Sequence, residues 1–90
     1  MQKEYPQPTF QIFVSSLSLQ AMISLGLVES PITGKKEKDL KQAKFLIDTL
    51  DMIKEKTSGN LTAEEKAFLE DALANLKVNY AKQKEAQDDR

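Results

Sequence analysis

Hydrophobic and polar positions alternate with helical period in three stretches of this chain, and each stretch is bracketed by cap and turn residues. The first opens after Pro6 and Pro8, with Thr9 as N-cap, and runs through Leu25. Gly26 then suits the left-handed C′ position, with Leu27 and Met22 placed for a Schellman ending and Pro31 just beyond. Asp39 and Gln42 make a capping-box-like start to a second helix, which runs to about Ser58 before Gly59. Thr62 and Glu65 repeat the device for a third, ending near Lys82. Only Gly59, Asn60 and Leu61 separate the last two, so they are expected to fold back as an antiparallel αα-hairpin. Between the first two helices, Ser30-Pro31-Ile32-Thr33 suits a type I turn, and Gly34 the positive φ after it. The expected fold is therefore all-α: a small three-helix bundle in one domain, residues 1–84, with helices at 9–25, 39–58 and 62–82. The polar tail, 85–90, is expected to fray because it offers no apolar anchor.

The faces of these helices differ. Leu40, Ala43, Leu46, Ile47, Leu50 and Ile53 form one stripe on helix 2, and Phe68, Leu69, Ala72, Leu73, Leu76 and Tyr80 one on helix 3; both read as core. Helix 1 has two apolar sides. Phe10, Phe13, Val14, Leu17, Ala21, Leu25 and Val28 form a broad stripe that would close the bundle. The opposite side carries Ile12, Ser16, Leu19, Ile23 and Gly26, spaced 4, 3, 4 and 3, the rhythm of a helix that meets another helix. One bundle cannot bury both sides. A symmetric homodimer through helix 1 would cover the second stripe without any new element, and it is the expected assembly. The alternatives are another protein, a lipid surface, or a semi-polar face left wet. Phe45 and Met52 lie seven residues apart, off the main stripe of helix 2, as peripheral core or a second contact.

Charge sharpens the contrast between helices. From Tyr5 to Val28 no side chain is charged, while Glu29 to Arg90 holds nearly every ion. The net charge of −1 is made of interleaved acids and bases, so no overall field draws the chain to nucleic acid. Ninety residues make one small domain that buries roughly 60 to 70% of its unfolded surface, and assembly would help it. The stretch Ile12–Val28 is short for a hydrocarbon slab of about 30 Å and is interrupted by serines and Gln20, so a spanning helix is not expected. Peripheral contact is more plausible, given Lys35, Lys36, Lys38, Lys41 and Lys44 downstream, although Glu37 and Asp39 dilute that cluster. No basic n-region leads into an apolar core with a cleavage site, and no cysteine argues for secretion, so the expectation is a cytosolic protein.

Chemistry has little to work with. There is no histidine, cysteine or tryptophan, which removes the usual near-neutral bases, thiolate nucleophiles and zinc ligands. Glu64, Glu65, Glu70 and Asp71 gather locally, and the first two suit the helix N-terminus rather than a metal site. No glycine-rich phosphate loop occurs, and the helix 1 serines have no base to activate them. Lys35 to Lys44 carries no aromatics interleaved for nucleic acid and reads as solvated loop and first helical turn. No catalytic, metal or cofactor residue is nominated.

Leu25-Gly26-Leu27, the Pro31-Ile32-Thr33-Gly34 turn, Asp39-Leu40 with Ala43, Ile47-Asp48 with Leu50, and the run Lys56-Thr57-Ser58-Gly59-Asn60-Leu61-Thr62-Ala63-Glu64-Glu65 together resemble the family known as domain of unknown function 1844. The resemblance covers about Phe10 to Tyr80. It implies a short bacterial helical protein of cytosolic type, and carries over no catalytic or binding residues. The expected function is thus a small non-catalytic protein-protein interaction module acting as a homodimer. A peripheral membrane factor anchored by helix 1 and a carboxylate-based metal enzyme stand as alternatives.

Overall fold

The computed structural model describes residues 4–88, with side chains through Ala86. Three helices follow in order: α1 (Phe10–Ser24), α2 (Leu40–Lys56) and α3 (Ala63–Asp88), each packed on both others. No strand occurs among the described residues; one isolated antiparallel bridge joins Leu25 to Lys38.

The helix ends are built from the residues that the sequence offers for them. Thr9 Oγ1 accepts from the Ile12 N–H at 3.1 Å. At the other end of α1 the Gly26 N–H donates to the Ile23 carbonyl and the Leu27 N–H to the Met22 carbonyl, both at 3.0 Å, with Gly26 at φ +79°. That is a full Schellman ending. Thr62 and Glu65 form a reciprocal capping box: Thr62 N–H donates to Glu65 Oε1 at 2.9 Å and Glu65 N–H to Thr62 Oγ1 at 3.1 Å. The start of α2 is only half a box. Asp39 Oδ1 accepts from the Gln42 N–H at 3.1 Å, but the Asp39 N–H donates to the Ser24 carbonyl of α1 at 2.7 Å. The loop before it also departs from a simple type I turn, since Ser30 C=O accepts from the Gly34 N–H, one residue further on.

Fully buried Val14, Ala21 and Leu25 of α1 meet Ala43, Leu46, Ile47 and Leu50 of α2 and Leu69, Leu73 and Leu76 of α3. On the flank of this core, Asp51 pairs with Lys77 at 3.0 Å and Lys54 with Glu70 at 3.7 Å. Stepping forward along α2 thus steps backward along α3, the order an αα-hairpin produces. These pairs are exposed and each contributes at most about 1 kcal/mol.

Three details depart from the sequence expectation. Phe13 and Phe68 are 49% and 39% exposed rather than core. Each lies about 100° round its helix from a buried neighbour, Val14 or Leu69, and the aliphatic core fills the interior without them. α3 runs six residues past Lys82 to Asp88, because residues 81–86 are all good helix formers; residues 89–90 lie outside the described residues.

The molecule extends 44 × 41 × 16 Å, about two helix layers thick. Its radius of gyration is 14.7 Å, against about 12 Å for a compact domain of this length. The exposed surface is 6854 Å², where a compact monomer of this size would show about 5,300 Å².

Leu50 and Phe45 test this assignment of core and surface. Leu50→Ala should cost about 2 to 5 kcal/mol in urea unfolding, and Phe45→Ala less than about 0.5 kcal/mol. Similar losses for both would show that α2 is rotated from the orientation described.

Candidate interaction surface

The outward side of α1 is where the sequence placed its second stripe. Ile12 is 41% exposed, Leu19 50%, and Ser16 between them is exposed as well. Ser16 turns its hydroxyl back to the Ile12 carbonyl at 3.0 Å, so it offers solvent little more than a small, self-satisfied side chain. Ile23 and Gly26, the remaining members of the stripe, are half-buried. The 29–38 loop folds beside them: Ile23 lines a hollow of about 730 Å³ with Pro31, Ile32 and Lys38, and a Cβ on Gly26 would stand 3.5 Å from that of Lys38. That is ordinary van der Waals spacing, so the loop simply lies beside Gly26, and it is the φ of +79° that calls for a glycine there.

A second hollow, about 430 Å³, runs between α1 and α3 and is mostly apolar; Leu19 and Met22 line one side, Phe68 and Leu76 the other, with Asp71 and Asn75 also on the α3 side. Ser18 lines it too, and its buried Oγ has no hydrogen-bond partner. Neither Phe68 nor the hollow was legible from the helical wheel of α1 alone. The signal was present in α3, where Phe68 sits one position from the core line.

Phe45, 68% exposed, and Met52, 48% exposed, lie on the solvent side of α2. Lys41 stands four residues before Phe45 and Lys56 four after Met52, so all four share one helix face. Asp48 on the flank is taken by Lys44 at 2.9 Å. The hydrogen bond that Lys44 Nζ donates to Asp48 and the charge of that carboxylate raise the Lys44 pKa. A lysine acting as base or nucleophile needs the opposite shift, so this one is a solvated cation.

The carboxylates do not converge. Glu65 is engaged in its cap, Glu70 pairs with Lys54, and Asp71 turns to the α1 side of α3. Among the described residues no group of three or more acids, histidines or cysteines could hold a metal ion, and no helix is long and apolar enough to cross a membrane.

The buried, unpartnered Ser18 hydroxyl gives a direct check on this surface. Removing an orphaned polar group that makes no bond should be neutral or stabilising, so Ser18→Ala should match or exceed wild type in thermal unfolding. A loss above about 1 kcal/mol would mean that the hydroxyl is bonded in solution.

No curated protein and no solved structure matches the chain. A family does match, over residues 7–82 of the 90, from the lead-in through most of α3. The chain belongs to that family, described as Domain of unknown function (DUF1844).

Proposed function

We propose that this protein is a small, non-catalytic interaction module of the cytosol that works as a homodimer through α1. One observation carries the reading: a helix without a single charged residue keeps Ile12, Phe13 and Leu19 about half exposed, and Leu19 lines an apolar hollow that Phe68 borders. Exposed aliphatics scattered singly are ordinary, but a cluster on an uncharged helix marks a contact surface. A second copy suits this face, since self-association there brings no like charges together.

The outer side of α2 supports a second contact with a different occupant. Its line of Lys41, Phe45, Met52 and Lys56 places a cation at each end of an apolar pair. Two copies meeting there in antiparallel fashion would set Lys41 against Lys56. An acidic amphipathic helix of another protein, apolar in the middle and negative at its ends, fits it better.

The test is the solution mass by light scattering over a hundredfold concentration range, without detergent. Wild type should be dimeric. Leu19→Glu, at a half-exposed position that the monomer fold does not need, should raise the dimer dissociation constant on the order of 100-fold or more. Phe45→Ser should leave the mass unchanged while weakening capture of an acidic helical peptide at low salt. A monomer at all concentrations would overturn the dimer, and flotation with anionic vesicles would favour a lipid surface in its place.

A further inference from the structure

We propose that the hollow between α1 and α3 is a binding site for a small organic cation, an alkyl- or arylamine whose ammonium group is held by the Asp71 carboxylate. A single chain supplies every residue that lines it, so the site stands apart from the homodimer reading.

The walls suit the apolar body of such a molecule. Leu19 and Met22 on α1 and Phe68, Ala72 and Leu76 on α3 surround about 430 Å³, within the range of roughly 300 to 1,000 Å³ over which small-molecule sites occur. Leu76 is itself part of the buried core, so the floor of the hollow is fixed by the packing of the bundle rather than by a loop.

The sign of the ligand follows from the surroundings of Asp71. Asp48, Asp51 and Glu70 each pair with a lysine, whereas Asp71 has no ion-pair partner among the described residues. The sequence leaves it none on its own helix face: the residues three and four positions away are Ala67, Phe68, Ala74 and Asn75, and the facing helix α1 carries no charge. No lysine or arginine lines the hollow. A carboxylate beside an apolar wall attracts a cation more strongly than one in open water, because the wall lowers the local dielectric. An anion would be repelled there, and a neutral apolar molecule would leave the charge unused. Phe68 adds to the preference. It stands one helical turn before Asp71, partly exposed, and the face of its ring attracts a cation.

A polar group is also spare in the α1 wall. Ser16 and Ser24 return their hydroxyls to the carbonyls four residues before them, both at 3.0 Å, whereas the buried Ser18 Oγ has no partner. Native proteins rarely leave a buried polar atom so. Rotation about χ1 would turn this hydroxyl toward an ammonium in the hollow, where it accepts a second hydrogen bond.

The probe is phenethylamine, titrated into the full chain and followed through the backbone amides by proton–nitrogen correlation NMR. Saturable shifts centred on Ser18, Leu19, Met22, Ala72 and Leu76 are expected, with a dissociation constant on the order of 1 mM for so small a molecule. The neutral isostere phenethyl alcohol should bind about tenfold more weakly. Asp71→Asn, at an exposed position without a partner, should weaken the amine about tenfold and leave thermal unfolding unchanged. Asp48→Asn removes the same charge from α2 and should leave the affinity as it is. The site would be overturned by equal binding of amine and alcohol, by indifference to Asp71→Asn, or by equal losses in the two aspartate variants. Shifts confined to other residues, or none, would overturn it as well.

Discussion

The bond from the Asp39 N–H to the Ser24 carbonyl, 2.7 Å long, is the constraint on which the arrangement depends. It joins the last residue of α1 to the N-cap of α2 and satisfies a carbonyl that the helix end leaves without a partner. The Leu25–Lys38 bridge beside it makes the tie two residues wide. Gly26, in a left-handed conformation, turns the chain out of α1 so that the 29–38 loop can leave and return within reach of that bond. With the end of α1 held against the start of α2, Leu25 is buried in the core rather than exposed to water, and α3 closes the remaining side by way of its short connection.

Much of this could be read from residue types because local chemistry and global fold agree. Thr9, Asp39 and the Thr62–Glu65 pair mark three helix starts, and each side chain accepts or donates as its type requires. The Schellman ending at Gly26 was legible down to its Met22 and Leu27 members. What could not be read was anything set by partners distant in sequence. The Asp39 N–H had a local candidate in Gln42, and a carbonyl of another helix took it. The width of the α1 core depended on what α2 and α3 brought to it; two leucine-rich helices left no room for Phe13. The outward stripe was legible as a pattern, but its division into a free half and a covered half depended on where a loop with little periodicity of its own came to rest.

A chain this small has limited interior to offer, and the core shows how that interior is allotted. Leucine, isoleucine, valine and alanine fill it, while Phe13, Phe45 and Phe68 stay largely or partly outside. Large aromatic side chains carry the most apolar area per residue and are the common anchors of protein contacts. Their position at the surface leaves the core to aliphatics and puts much of the chain's aromatic area on its solvent side. Surface ion pairs such as Lys44–Asp48 and Lys77–Asp51 serve solubility and helix pairing more than stability.

The position of Lys38 over Gly26 bears on assembly fidelity. An α1 with its whole stripe bare would present similar aliphatic and small positions one heptad apart, and two such helices could slide past each other by two turns and still match. With the loop lying beside Ile23 and Gly26, only Ile12, Ser16 and Leu19 of that stripe are fully exposed. Where two copies met on this stripe, the loop would act as a gauge, its reach past Ile23 limiting the ways in which they could align.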